Sequence, residues 1–248
     1  MNLFYIRNLL IGSLNNSKYR PGDIIAECPS DDYPNVGYDY ELELEQNGLY
    51  EIIAVGGGGG SGWHYLYNKD GIGYAWIHSG GSAASFYGKI SLIKGNYTFR
   101  AGSIGASGVG TTTNVYVSGK SGKSGCLASD SQIIVEARGG NGGRGGNPYD
   151  VGSPGEGGSL FIYEQEIDTN GDNIPTDCQV INWKQKDGTG QGTTGGSTLY
   201  GVNVYGQIVL EQGDPTARES YYKNYGKGNN NRGHGTNGYF KLTYLGKA

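Results

Sequence analysis

Apolar and polar residues alternate over short stretches of this chain, and no stretch shows the 3.6-residue period of an amphipathic helix. In 38–45 the apolar side chains occupy the even positions and the acidic ones the odd positions. This pattern predicts a half-buried strand with a solvated acidic face. Residues 50–55 are apolar on both faces and predict a central strand. Asn47 and Gly48 between them predict a tight hairpin, because both residue types tolerate positive φ.

The same order of strand, turn, strand and glycine run recurs further along. Residues 86–93 and 97–101 predict two strands around a turn at 94–96. The remaining strands are predicted at 133–137, 160–163, 204–210 and 239–245, which makes about eight in all. We therefore expect one all-β domain over 38–248. Residues 1–37 contain little glycine and are predicted to form an N-terminal arm or attachment segment.

Glycine recurs at every third position in several segments, and three is the period of the polyproline-II helix. The chain has 48 glycines but only 7 prolines, and each run is short, so collagen does not fit. A glycine at every third position removes Cβ from one edge, and neighbouring segments can then approach until their N–H and C=O groups pair. The pattern predicts inserted polyglycine-II helices packed as a bundle. The glycines assigned to them are Gly102, Gly105, Gly108, Gly119, Gly122, Gly125, Gly139, Gly142, Gly145, Gly152, Gly155 and Gly158, with a further pair at Gly235 and Gly238.

Composition and charge argue against a disordered protein, a nucleic-acid-binding protein and a membrane-spanning protein. Aromatic residues make up 12% of the chain, which argues against disorder. The net charge is −4 without a basic block, so no nucleic acid partner is expected. No run of about 18 apolar residues occurs, so no membrane insertion is expected. The three cysteines, Cys28, Cys126 and Cys178, form neither a disulfide framework nor a zinc motif. With no secretory signal pattern at the N-terminus, we expect a soluble protein made in the cytoplasm.

Catalytic and nucleotide-binding motifs have no support. Gly57, Gly59 and Gly62 formally match G-x-G-x-x-G, but that motif requires a helix to begin there, and no helical pattern follows. Residues 119–124 resemble the end of a phosphate loop but lack its first glycine. The three histidines, His64, His78 and His234, have no metal-binding spacing. The chain is predicted not to be an enzyme and to need no cofactor.

One segment resembles the start of a calcium loop. Asp168, Asn170 and Asp172 place oxygen ligands at alternate positions. Asn173 stands where the loop needs glycine, and Gln179 where it needs a bidentate glutamate. A polar turn is the favoured interpretation, and calcium binding is the alternative.

Two aromatic clusters are the best candidates for ligand binding. Such residues on glycine- and asparagine-rich loops are typical of binding surfaces. They are equally suited to cover glycine helices, which have no side chains with which to build a core, and both interpretations stay open. The first cluster comprises Trp63, Tyr65, Tyr67, Tyr74 and Trp76, and the second comprises Tyr221, Tyr222 and Tyr225.

Residues 48–60, 87–102 and 225–244 resemble the opening, middle and close of glycine-rich domains found in tail-fibre and other surface proteins of bacteriophages. A more distant similarity is to the extracellular glycine-rich domain of anaplastic-lymphoma-type receptor kinases. The resemblance covers about 38–245 and is weakest over 164–200. It implies an antiparallel β-sandwich, like tumour necrosis factor or a jelly roll, with inserted polyglycine-II helices packed as a bundle.

The resemblance implies a non-enzymatic virion protein from a tail fibre, tail tip or head appendage. Its expected partners are other virion proteins and a host cell-surface glycan or protein, and a homotrimer is expected by analogy. The alternative is a bacterial surface adhesin or self-assembling filament protein on the cell surface. A receptor-like cytokine-binding module ranks third, because the chain has too few cysteines for an extracellular animal protein. A glycan-active enzyme ranks last.

Overall fold

The computed structural model describes residues 18–67, 72–108, 116–130, 132–145, 152–153, 155–167, 174–175, 178–182, 197–203, 208–213, 225–228 and 234–247. Throughout these residues the regular secondary structure is β-strand, and the strands pair in antiparallel fashion. The prediction of an all-β chain without helices is confirmed for this part.

The described residues contain sixteen strands. They are β1 (Ile24–Cys28), β2 (Tyr40–Leu44), β3 (Gly48–Val55), β4 (Gly62–Tyr67), β5 (Ile72–His78), β6 (Ser85–Leu92), β7 (Gly95–Arg100), β8 (Tyr116–Val117), β9 (Gly125–Ser129), β10 (Gln132–Ala137), β11 (Leu160–Ile162), β12 (Gln165–Ile167), β13 (Cys178–Asn182), β14 (Ser197–Asn203), β15 (Ile208–Gly213) and β16 (Tyr239–Gly246).

The strands form three sheets. The first has the order β1-β16-β3-β6-β13, the second β12-β11-β10-β9-β7-β2, and the third β15-β14-β5-β4-β8. Strands that are neighbours in a sheet are in most cases distant in sequence, as with β16 beside β3. The sheets are therefore assembled mainly from long-range pairs.

The main core takes residues from both the first and the second sheet. Phe99 of β7 and Phe240 of β16 stack with ring centroids 4.8 Å apart, which joins the two sheets directly. Complete burial of a side chain of this size contributes about 1.5–3 kcal/mol. The largest fully buried side chains of this core are Tyr50, Tyr244, Phe86, Phe99, Phe240, Leu44, Ile52, Ile90, Leu127, Leu160 and Ile162.

The burial of side chains along β2 and β3 agrees with the predicted exposed and buried faces. Along β2 Glu41 and Glu43 are exposed, while Leu42 and Leu44 are buried. An edge strand can keep such an acidic face in water, and β2 lies at the edge of the second sheet. Strand β3 is central in the first sheet, and the side chains of both its faces are buried from Ile52 to Val55.

Both predicted hairpins are wrong. Strand β2 pairs with β7 in the second sheet, while β3 pairs with β16 and β6 in the first. The chain therefore crosses between sheets at 45–47, and it crosses back between β6 and β7 at 93–94. The physical reason is that the turn signal is local. Strand β3, apolar on both faces, takes a covered central position in the first sheet, and β2, with its solvated acidic face, takes an edge of the second.

The described part of the predicted N-terminal arm belongs to the first sheet. Strand β1 pairs with β16, and Ala26 and Cys28 are buried in the main core. Tyr33 stacks edge-on against Phe99 at 4.9 Å. The predicted boundary at 37/38 does not separate these residues from the core, and residues 1–17 lie outside the described part.

Strands were also missed where glycine or small residues interrupt the apolar pattern. Residues 62–67 and 72–78 were predicted to be loops but form β4 and β5. The predicted strand at 204–210 overlaps only the start of β15, and its residues 204–207 lie outside the described part. The glycines flanking β4 and β5 are a turn signal in isolation, and only the neighbouring strands reveal the sheet.

Candidate functional site

Glycine-rich segments connect the strands, and we number eight of them in the described part of the chain. They are segment I (56–61), II (79–84), III (101–108), IV (118–124), V (138–145), VI (155–159), VII (225–228) and VIII (234–238). Segment I leads from β3 to β4, II from β5 to β6, and IV from β8 to β9. These three segments therefore connect the third sheet with the two sheets that form the core.

Backbone hydrogen bonds join the segments at three-residue intervals. In segment III the N–H groups of Gly102, Gly105 and Gly108 donate at N···O distances of 2.8–3.2 Å. The first acceptor is the carbonyl of Val55 at the end of β3, and the other two are those of Gly58 and Ser61 in segment I. The same interval relates V to I, I to IV, IV to V and VI to II. The corresponding bonds are Gly140 to Gly57 and Gly143 to Gly60, Gly57 to Lys123 and Gly60 to Lys120, Gly119 to Gly143 and Gly122 to Gly140, and Gly155 to Ser79 and Gly158 to Ser82, with the N–H donor named first.

Segment I lies at the centre of this arrangement. It exchanges backbone hydrogen bonds with segments II, III, IV, V and VIII, and its residues 56–61 are buried. Burying a backbone polar group without a partner would be costly. The bonds to the surrounding segments therefore allow a polar backbone to occupy the interior in place of apolar side chains.

The predicted three-residue glycines lie where adjacent backbones approach most closely. A Cβ added at Gly105, Gly122 or Gly142 would lie well inside van der Waals contact of a carbonyl group in a neighbouring segment. Similar overlap with a neighbouring backbone applies at Gly102, Gly108, Gly119, Gly125, Gly139, Gly145, Gly155, Gly158, Gly235 and Gly238. Gly152 differs from these in having a φ of 87°, a backbone conformation that favours glycine.

Polar side chains accept hydrogen bonds from N–H groups of the segments, and no sequence motif predicts these contacts. The Ser118 hydroxyl accepts from Gly145 N at 3.1 Å, and Asn237 Oδ1 accepts from Ile104 N at 3.3 Å. His234 Nδ1 accepts from Ser107 N at 3.0 Å. A side-chain oxygen or nitrogen can therefore accept a hydrogen bond from a backbone N–H group where no neighbouring segment supplies a carbonyl.

The first aromatic cluster lies on two paired strands of the third sheet, with Trp63, Tyr65 and Tyr67 on β4 and with Tyr74 and Trp76 on β5. In the β4–β5 register Trp63 pairs with Ile77 and Tyr65 with Ala75, so neither is opposite an aromatic residue of β5. Trp63 is only 6% exposed, so it packs in the interior and does not line a surface loop.

The second aromatic cluster is described only at Tyr225. Its ring stacks on Tyr239 with centroids 4.8 Å apart, and it covers a small cluster formed by Ile53, Val55 and Tyr239. This contact favours the packing interpretation of Tyr225 over the ligand-binding one. Tyr221 and Tyr222 lie outside the described residues.

The other candidate chemistry is limited. Asp168, Asn170 and Asp172 of the calcium-like segment lie outside the described residues. Elsewhere, among the residues that the structure describes, no group of three or more His, Cys, Asp or Glu residues could hold a metal ion. Cys28, Cys126 and Cys178 are buried thiols that are not joined by disulfides. Burial raises the pKa of the Cys126 thiol to about 11, so it stays protonated and unreactive near neutral pH.

The sequence was compared with protein-family models and with curated proteins. No protein-family model matches the chain, and no curated protein matches it significantly. In the described part of the chain no helix is long and apolar enough to cross a membrane. The glycine segments and the sheets that they connect are therefore the features of the molecule that bear on function.

Proposed function

We propose that the protein is a non-enzymatic structural protein of a bacteriophage particle, in a tail fibre, tail tip or head appendage. It would be made in the host cytoplasm and reside in the virion. The observation that carries the proposal is the set of backbone hydrogen bonds, three residues apart, that surrounds segment I between the core sheets and the third sheet. Such an interior suits a rigid spacer that displays a surface.

The proposal includes a finer description of the fold. The glycine segments are polyglycine-II helices packed as a bundle, and the first and second sheets form a β-sandwich resembling tumour necrosis factor. The three-residue interval of the donors supports the helices, and the shared core supports the sandwich. A six-residue segment in this conformation spans about 19 Å, which sets the separation between the core and the third sheet.

The expected partners follow from the position of the core sheets and the third sheet at opposite ends of the glycine segments. The third sheet and its connections meet a host cell-surface glycan or protein, and other virion proteins bind the opposite end. Loops at the end of a bundle held by backbone bonds can change in sequence without changing its interior. The N-terminal residues before β1 attach the protein to its neighbours, and the protein assembles as a homo-oligomer, with a trimer as the expected state.

The competing function is a bacterial surface adhesin or filament protein that self-assembles through glycine-rich edges. Lateral assembly would need unpaired backbone groups at the margin of the bundle. The side chains of Ser118, Asn237 and His234 accept hydrogen bonds from three N–H groups of the glycine segments, which are then not available for lateral assembly. This observation favours the virion proposal.

Antibody labelling of native particles tests the proposal. Purified phage and host envelopes are labelled with an antibody against the full chain and imaged by negative-stain electron microscopy. Label on a tail or capsid appendage supports the virion function. Label on bacterial envelopes or free filaments refutes it and supports the surface-assembly alternative.

A further inference from the structure

We propose that the outer surface of segments IV and V binds an acidic polysaccharide. Four exposed basic side chains border this surface, which we call the basic trough: Lys120 and Lys123 on segment IV, and Arg138 and Arg144 on segment V. The inference rests on the proposed host-surface function and names the class of polymer recognised. It uses residues outside both aromatic clusters.

The backbone sets the arrangement of these cations. Gly119 N bonds Gly143 O at 2.8 Å and Gly122 N bonds Gly140 O at 2.9 Å, so segments IV and V run antiparallel and side by side. Lys120 and Lys123 donate their N–H groups to segment III, on one flank. Arg138 and Arg144 donate theirs to Ser159 and Ser153, on the other flank. The two basic pairs therefore lie on opposite margins of the same strip.

The strip between the margins is polar. Ser118, Ser121 and Asn141 are exposed there, and Ser121 Oγ lies 3.2 Å from Asn141 Oδ1. Hydroxyl and amide groups next to cations suit a polymer that carries both hydroxyls and acidic groups.

The side chains that border the trough are basic, although the net charge of the whole chain is −4. Glu136 pairs with Arg138 at 3.2 Å, and Glu156 is exposed on segment VI. Lys123 Nζ also donates to Gly37 O at 3.2 Å. An anionic chain lying along the strip is complementary to the four cations at its margins.

A polysaccharide fits this surface better than a nucleic acid does. Duplex DNA carries about one charge per 1.7 Å of helix axis and would extend past the trough onto an acidic protein. A glycan with one acidic group per repeat has a lower charge density. Its sugars can use the serine and asparagine groups of the strip for hydrogen bonds.

Binding of fluorescent polygalacturonate fragments to the purified full chain tests the inference. At low salt we expect saturable binding that weakens as salt is added, with no binding of an uncharged dextran of equal length. The double variant Lys120→Gln/Arg144→Gln should bind roughly fivefold more weakly or worse, since two exposed charge contacts are lost. The control Lys94→Gln/Lys247→Gln makes the same charge change at exposed positions outside the trough and should retain the affinity.

Three outcomes overturn the inference: no binding of polygalacturonate, equal weakening in both double variants, or tighter binding of a single-stranded oligonucleotide of matched charge. Unchanged thermal melting of the variants ensures that a loss is not unfolding. The assay is independent of particle labelling. Binding at the trough with label on bacterial envelopes would refute only the virion function, whereas virion label without binding would refute only the trough.

Discussion

The side chain of Asn47 accepts a hydrogen bond from the backbone N–H of Lys94 at 2.6 Å. Each residue lies in a connection that carries the chain from one core sheet to the other. The register places these connections side by side, with Leu44 opposite Gly95 in one sheet and Gly48 opposite Leu92 in the other. The two crossings therefore support each other.

The tyrosines that follow the crossings repeat one contact. Tyr50 donates its hydroxyl to Gln46 O at 2.6 Å, and Tyr97 donates to Ile93 O at 2.7 Å. In each case the acceptor carbonyl lies four residues before the tyrosine. Each crossing is therefore stabilised by a hydrogen bond from a buried tyrosine hydroxyl, whereas a tight hairpin would be stabilised by backbone hydrogen bonds.

Replacing Asn47 with alanine should destabilise the protein by about 0.5–1.5 kcal/mol, because one side-chain hydrogen bond to the other crossing is lost. Urea unfolding followed by fluorescence measures the change. Asn96→Ala, at an exposed position in the same region, should change stability by less than about 0.5 kcal/mol. Equal effects of the two substitutions would argue against a specific role for Asn47.

Replacing Gly57 with alanine should destabilise the protein by about 3 kcal/mol or more, because the new Cβ would overlap the Ser103 carbonyl. Gly95→Ala is the matched control, since its Cβ would meet only Tyr97 Cε2 at 3.9 Å. We expect that change to stay within about 1 kcal/mol. Urea unfolding of both variants provides the comparison, and a tolerated Gly57→Ala would contradict the close approach of segments I and III.

Replacing Tyr225 with alanine should lower stability by about 1–3 kcal/mol, because its ring stacks on Tyr239 and covers Val55. Tyr38 is 65% exposed, so Tyr38→Ala should have little effect on thermal unfolding. If Tyr225→Ala melts like the wild type, Tyr225 is not a packing residue and its candidacy for ligand binding is strengthened.

Stability should fall in alkaline solution. Burial raises the pKa of Tyr50 and of Tyr97 above the usual 10.0, and that of Cys126 from 9.0 to about 11. A raised folded-state pKa means that the folded state holds the proton more tightly. The stabilisation is complete below the unfolded pKa and is lost as pH rises through the folded one. Urea midpoints should therefore decline above about pH 9.

The tyrosine contribution to that decline can be separated. Tyr97→Phe keeps the ring but removes the ionising hydroxyl, so stability should decrease less steeply above about pH 10. The same variant loses the bond to Ile93 O and should be less stable at neutral pH. An identical pH profile in both proteins would exclude Tyr97 from the alkaline transition.

Much of the local structure could be predicted from the sequence. Alternating residues identified the exposed and buried faces of β2, and apolar residues on both faces identified β3 as central. The three-residue spacing located glycines such as Gly105 and Gly122 at the close approaches between segments. These are properties of single segments, because side-chain periodicity and the absence of Cβ are encoded locally.

The candidate site was less predictable. Trp63 was grouped with surface-loop aromatics, yet it lies on β4 and is buried. The capping contacts of Ser118 and His234 join segments far apart in the chain. A residue type alone does not specify a partner that another segment must supply.

By itself the sequence determined which residues face solvent, which are apolar on both sides and where glycine is needed. The tertiary structure alone decided that Asn47-Gly48 is a crossing between sheets and not a hairpin, and that Ile24–Cys28 belongs to the first sheet. The physical reason is that strand pairing is a long-range choice. Each strand joins the edge at which its polar backbone and buried face are both satisfied, and that edge belongs to a distant part of the chain.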